Sequence, residues 1–91
     1  MSASSRTEAT VALPGAVALH ARPAADFVRM AMGFDARIMV AAGAREADAK
    51  SLLSVLALGA TAGSTLRLRA EGPEAVRAVD DLVGCVSGLR D

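Results

Sequence analysis

The 91-residue sequence contains no Trp or Tyr, one Cys, one His and a single Lys among its ten basic residues. A lone Cys excludes an internal disulfide and a zinc site built on cysteines. The lack of Trp and Tyr removes the usual stacking platforms for bases, and ten acidic residues balance the ten basic ones. Nucleic-acid binding normally needs a basic face, so we expect no nucleic-acid partner.

The sequence also lacks an apolar run that approaches the length of a membrane span. Residues 1–5 are small and polar, and no signal-peptide pattern follows them. We predict a disordered tail over residues 1–5 and a single domain over residues 6–91. From these features we expect a cytoplasmic protein without membrane insertion.

What the sequence does contain is clear periodicity, with apolar residues forming 53% of the chain. Alternation predicts strands at 7–13, 36–42, 45–49 and 66–70, and helical spacing predicts helices at 21–32, at 52–58 and after Gly72 and Pro73. Each strand has one apolar and one polar face. We therefore predict an α+β open-faced sandwich of order β-α-β-β-α-β-α, in which three helices cover one face of a four-stranded antiparallel sheet.

The helical patterns also predict which side chains are buried. In the last helix the apolar positions expected to face the core are Ala75, Val76, Val79, Leu82, Val83, Val86 and Leu89. The helix at 52–58 is apolar nearly all round, which so small a domain cannot bury completely. In that helix Val55, Leu56 and Leu58 are expected in the core. Leu52 and Leu53 are expected to form an exposed patch for partners.

The strongest chemical signal is His20, which stands directly before a predicted helix. A helix start offers unpaired N–H groups and the positive end of the macrodipole, so it attracts anions. Pro23 has no N–H, and the expected backbone donors are those of Ala21, Arg22 and Ala24. The Arg22 guanidinium can also hold phosphate oxygens. Because a neutral imidazole already carries a nucleophilic lone pair, the pattern predicts a phosphoryl acceptor that needs no general base.

Each of these residues also has a purely structural interpretation. His20 could be an ordinary capping or half-buried histidine, and Arg22 a solvated side chain in the first helical turn. Ser51 is placed to cap the helix at 52–58, and Cys85 to pack at the edge of the last helix. Sequence context decides between these interpretations and the chemical ones.

Residues 19–25, with the sequence LHARPAA, resemble the active-site signature of the HPr family of the bacterial phosphoenolpyruvate-dependent sugar phosphotransferase system. Residues 49–59, AKSLLSVLALG, look like the second helix of that family with its serine. Gly63 and the segment 70–72 match the pattern around the last strand. The resemblance extends over residues 7–89, nearly the whole chain.

The resemblance implies a stoichiometric phosphoryl carrier with a phosphohistidine intermediate and no metal or cofactor. The Nδ1 atom of His20 would take the phosphoryl group from phospho-enzyme I, which is charged by phosphoenolpyruvate, and pass it to an EIIA domain. Arg22 would steady the group during transfer. Ser51 would be a regulatory phosphosite if the chain meets an HPr kinase. A monomer is expected, with transcriptional regulators as further partners.

Partner docking is expected at Arg29, Met32, Leu52, Leu53 and Leu56. The family often has Lys where Met32 and Ser54 stand here, so docking should rely more on apolar contact. The family usually has Gly at the position of Ala18, and the loop between Pro14 and His20 is longer than usual. Because Ala disfavours positive φ, we expect altered loop geometry beside His20.

Three other functions are alternatives, and the sequence does not separate the first of them from the sugar-transport role. The chain could serve the nitrogen-related regulatory branch of the same phosphotransferase system. It could instead be a regulatory binding module acting through Leu52 and Leu53, although relatives of that kind have lost the histidine. A small metal- or ligand-binding domain using His20 is the third, and one His beside an Arg makes a poor metal site.

Overall fold

The computed structural model describes residues 6–90. Within them the chain forms strands β1 (Arg6–Ala12), β2 (Arg37–Ala42), β3 (Arg45–Asp48) and β4 (Thr65–Glu71), and helices α1 (Ala21–Ala31), α2 (Leu52–Ala57) and α3 (Ala75–Ser87). This confirms the predicted element order, with limits that differ by one or two residues. The tail predicted for residues 1–5 lies outside the described residues, and the single domain over 6–91 stays a prediction.

The strands form one antiparallel sheet in the order β1-β4-β2-β3. Strand β4 lies in the middle, where Arg67 is opposite Thr10 of β1 and Ala41 of β2. Strands β2 and β3 form the predicted hairpin, whose turn contains Gly43 at a φ of 59°. A positive φ is easily adopted only by glycine, which explains the residue at this turn. The predicted α+β open-faced sandwich, with three helices and an open sheet, is confirmed.

The core lies between the helices and one face of the sheet. Alternate strand residues such as Ile38, Val40 and Leu66 are fully buried, and Phe27 of α1 is the largest buried side chain. The residues between them face away from the helices, and most of them, including Arg67, are exposed, although Ala41 is buried and Met39 and Arg69 are half-buried. Strict alternation thus makes one face apolar and leaves the other open to solvent.

Of the helical residues predicted to be in the core, Val83 is only half-buried, and Val76 and Leu56 are exposed. Val76 keeps 55% of its surface exposed, because Ala75, Ala78 and Val79 form the buried side of α3 from its first turn. Leu56 is 36% exposed, since the six-residue helix α2 buries only Val55. Helix α2 therefore presents more apolar surface to solvent than expected. Among residues 6–90, no helix is long and apolar enough to cross a membrane.

Candidate functional site

Two apolar side chains that are buried in the core anchor the loop between β1 and α1. Val17 and Leu19 are 3% and 1% exposed, and the Leu19 N–H donates to the Ala60 carbonyl at 3.0 Å. The next residue, His20, is exposed. Its side chain makes no capping bond to the helix. Burial of the neighbouring residues thus fixes the loop while the imidazole stays open to solvent and to an approaching protein.

His20 is the N-cap residue of α1, with extended φ and ψ angles of −131° and 172°. Its carbonyl accepts the first helical bond, from the Ala24 N–H at 3.1 Å. The expectation that Ala24 offers a free N–H is therefore corrected, because that group is already engaged. Within residues 6–90, the N–H groups of Ala21 and Arg22 have no hydrogen-bond acceptor. The N-terminal end of α1 thus offers two adjacent N–H donors directly after the histidine, an arrangement that suits an anion.

Ala21 has a φ of +35°, a region that residues with a Cβ rarely adopt. Such a conformation costs about 1 kcal/mol or more, so the first residue after His20 is strained. The presence of Ala18 and the longer loop predicted altered geometry beside His20. Outside glycine, the residues with positive φ in the described chain are Ala21 and Glu74, so the strain lies one residue beyond His20.

Arg22 is exposed and lies over a depression between α1 and the end of α3. We call this the Arg22 depression, and its lining residues are Arg22, Asp26, Cys85, Gly88, Leu89 and Arg90. No carboxylate of residues 6–90 lies within 4.0 Å of the Arg22 guanidinium, so no ion pair holds it there. Burial raises the pKa of the Cys85 thiol, and the Asp26 carboxylate raises it further.

An apolar patch lies on helices α1 and α2. It consists of Met32, Leu52, Leu53 and Leu56, whose exposed fractions are 64%, 40%, 81% and 36%. Met32 and Leu52 also line a shallow groove between the two helices, and Arg29 stands at its rim. All five predicted docking residues are therefore accessible; three of them, Arg29, Met32 and Leu52, line the groove, and Leu53 and Leu56 belong to the same short helix as Leu52.

Ser51 is the N-cap of α2, as predicted. Its Oγ accepts a hydrogen bond from the Ser54 N–H at 3.3 Å and donates to the Ser54 Oγ at 3.0 Å. The residue is only half-exposed. This geometry confirms the structural role of Ser51, whereas its role as a phosphosite stays a prediction.

Sequence reasoning missed two contacts near the site. Asp26 accepts a hydrogen bond from Arg29 at 3.2 Å and shares the Arg22 depression. Arg22, Asp26 and Arg29 are spaced at i, i+4 and i+7 on α1. This spacing was the sequence signal that could have revealed the position of Asp26 between the two arginines. The Lys50 ammonium donates to the Phe34 carbonyl and ties the start of α2 to the turn after α1. No local sequence pattern indicates that long-range contact.

Residues 7–87 match the protein family described as the PTS HPr component phosphorylation site. Over 71 residues the chain is 45% identical to the phosphocarrier protein HPr of Vibrio cholerae, which is 78% of this chain and 84% of that protein. It is also 47% identical over 70 residues to the multiphosphoryl transfer protein of Xanthomonas campestris. That match covers 77% of this chain but only 8% of the much longer relative.

The fold comparison agrees with the sequence comparison. A crystal structure of HPr-C-His from Thermoanaerobacter tengcongensis superposes with a TM-score of 0.85 at 34% identity, covering 89% of this chain and 91% of the other. A phosphocarrier protein HPr from Bacillus anthracis gives a TM-score of 0.85 at 31% identity, covering 89% and 96%. Similarity of sequence and of fold therefore extends across most of the chain and includes the His20 loop.

Proposed function

The chain belongs to the HPr family of phosphocarriers of the phosphotransferase system, and from that premise we propose that His20 is its phosphoryl acceptor. The proposed donor is phospho-enzyme I, charged by phosphoenolpyruvate, and the proposed acceptor is an EIIA domain. The observation that carries the proposal is the exposed imidazole of His20, which directly precedes two N–H groups that have no acceptor among residues 6–90.

In the proposed step the Nδ1 lone pair of His20 attacks the phosphorus of the phosphorylated donor. A nitrogen–phosphorus bond forms at His20 while the bond between phosphorus and the donor atom breaks, and the electron pair of that bond stays on the donor. Transfer to the EIIA domain repeats this exchange with His20 as the leaving group. Because Nδ1 carries a lone pair in the reacting tautomer, no proton has to be removed from it first.

The surroundings of His20 suit a group that must be held only briefly. The Ala21 and Arg22 N–H groups and the Arg22 guanidinium supply positive charge and donors for the phosphoryl oxygens. The proposal therefore requires no metal or cofactor in the carrier. Exposure of His20 to solvent weakens these interactions by screening, so the phosphoryl group is not trapped. It also allows a partner to approach along the line of the bond being broken.

Partners are proposed to dock on the apolar patch and on Arg29. Leu53 is the most exposed large apolar side chain of residues 6–90, and it stands next to Leu52 on α2. Contiguous exposed apolar side chains of this kind mark protein interfaces. The proposed carrier is a monomer that acts in the cytoplasm. A regulatory phosphate on Ser51 would change the charge beside this patch.

A labelling experiment tests the site. The protein is incubated with enzyme I and phosphoenolpyruvate, and the product is examined by mass spectrometry and acid treatment. We expect one acid-labile phosphate per chain, located on His20. Labelling at another residue would contradict the site assignment, and the absence of labelling with an active enzyme I would contradict the function.

A matched pair of substitutions tests the docking surface. Leu53→Ser removes the most exposed side chain of the apolar patch, whereas Val76→Ser removes another largely exposed apolar side chain from α3, outside the patch. Truncation of an interface residue commonly costs 1 kcal/mol or more, so Leu53→Ser should raise the KM for enzyme I by about fivefold or more. The Val76→Ser variant should behave like wild type. Equal effects of the two substitutions would refute docking at the patch.

A further inference from the structure

Three charged side chains alternate in sign along the exposed side of α1. Arg22, Asp26 and Arg29 occupy positions i, i+4 and i+7, which lie on one side of a helix. The Asp26 Oδ1 atom accepts a hydrogen bond from Arg29 at 3.2 Å. One carboxylate thus stands between two guanidinium groups. Only one of those two arginines, Arg22, follows His20 in the first helical turn.

Asp26 shares the Arg22 depression with Arg22, at the end of that depression farther along α1 from His20. The Asp26 charge acts inside the depression: burial raises the pKa of the Cys85 thiol, and the Asp26 carboxylate raises this pKa further. The Arg22 guanidinium is not held by any ion pair with residues 6–90. No ion pair within residues 6–90 therefore opposes its response to the charges on either side of it.

The two charges attract Arg22 in opposite directions along the helix. A phosphoryl group on His20 lies two residues before Arg22, whereas the Asp26 carboxylate lies four residues after it. One guanidinium cannot bond fully to both. In the unphosphorylated carrier the Asp26 carboxylate, which bonds to Arg29 and is more than 4.0 Å from the Arg22 guanidinium, attracts Arg22 only through space. In the phosphorylated carrier the phosphoryl group must compete with that attraction.

We propose that Asp26 is a positioning residue that acts through Arg22, drawing its guanidinium away from His20 and so making the phosphorylated carrier less stable. This inference rests on the proposed function, because it requires a phosphoryl group on His20. Its consequence is a carrier that gives up the phosphoryl group more readily. The carboxylate touches no reacting atom, and its whole effect is exerted on the arginine that does.

A competition between carriers measures this effect directly. Isotope-labelled wild type and unlabelled Asp26→Asn are mixed in equal amounts with a trace of enzyme I and a limiting amount of phosphoenolpyruvate, and mass spectrometry counts the phosphorylated fraction of each at equilibrium. Exposed charge pairs have small energies, so we expect the phosphoryl group to favour Asp26→Asn by about two- to fivefold. The charge-conserving Asp26→Glu should partition like wild type.

The matched control is Asp80→Asn, which makes the same change at an exposed aspartate on α3 that does not line the Arg22 depression. It should partition equally with wild type. If Asp80→Asn shifts the equilibrium as much as Asp26→Asn, the effect comes from net charge and the inference is overturned, while the labelled wild type still supports the proposed function. If wild type takes no phosphate, both the function and the inference fail.

A double-mutant cycle separates action through Arg22 from direct repulsion between the carboxylate and the phosphoryl group. In an Arg22→Gln background the Asp26→Asn substitution should change the partition by less than about 1.5-fold, because the guanidinium for which the two anions compete is gone. An undiminished shift in that background would overturn the inference. Thermal unfolding of every variant checks that the folded fraction is the same, since a purely structural role would not produce the coupling.

Discussion

The N-termini of helices α1 and α2 differ in whether a side chain satisfies the first N–H groups, which have no partner within the helix. Helix α2 begins at Ser51, whose hydroxyl oxygen accepts a hydrogen bond from the Ser54 N–H. Helix α1 begins at His20, whose side chain caps nothing, and the next two N–H groups have no acceptor among residues 6–90. A completed cap stabilises a helix, whereas an incomplete cap leaves backbone N–H donors available to bind an anion.

The largest expected effect is that of His20→Ala. It removes the nucleophile, so labelling by enzyme I and phosphoenolpyruvate should fall to background. The imidazole is exposed and makes no capping bond, so the free energy of unfolding should change by less than about 0.5 kcal/mol. Labelling and urea unfolding measure the two quantities. A large loss of stability would show that His20 supports the helix after all, and the contrast with Ser51 would fail.

The next effect is that of Arg22→Ala on the rate of transfer. Loss of a charged donor to the phosphoryl oxygens should slow transfer about 10- to 100-fold without unfolding the protein. Stopped-flow or quench measurements with enzyme I give the rate. The control is Arg77→Ala, which removes another exposed arginine from α3 and should leave the rate unchanged. An unfolded Arg22→Ala variant would contradict the role assigned to the residue.

Substitution of the cap on α2 should produce the reverse pattern. Ser51→Ala removes the acceptor for the Ser54 N–H and should cost about 1 kcal/mol of stability, lowering the Tm by about 4–8 °C. The label on His20 should be retained in full. Ser51→Asp, which keeps an acceptor at the cap, should retain most of the stability. Loss of labelling in Ser51→Ala would mean that the two helix ends are not independent.

The smallest effect is expected at Ala21. Replacement of Ala21 by Gly relieves the strain of a φ of +35° but increases the freedom of the unfolded chain. These changes nearly cancel, so calorimetry should show a stability change between zero and a gain of about 1 kcal/mol. A loss greater than about 0.5 kcal/mol would indicate that Ala21 is not strained.

Most of the fold could be predicted because its signals are local and periodic. Alternation located every strand, and the serine before an apolar run identified the cap at Ser51. Val76 was misplaced because it lies beside the apolar stripe of α3, and only the packing of Ala75 and Ala78 fixes which side is buried. Helical periodicity alone does not decide whether a residue in the first turn, such as Val76, lies on the buried or on the exposed side of the helix.

The sequence predicts which residues belong to the candidate site, but it does not predict how they are arranged in space. His20 and Arg22 carry their chemistry in the sequence, whereas the engagement of the Ala24 N–H depends on the N-cap falling at His20. An alanine gives no warning of positive φ, so the strain at Ala21 had no sequence signal. Asp26 had a signal in its spacing, but its importance appears only when α3 closes the depression beside it.

The pairing of the outermost strand β1 with β4 also has a consequence for how the protein is made. Arg6 lies opposite Glu71, and the loop that carries His20 is tied to the carbonyl of Ala60, so both partners of the N-terminal segment are translated late. Contacts between distant parts of a chain slow folding. A nascent chain halted on the ribosome before β4 emerges should therefore contain its histidine but lack a framework to present it.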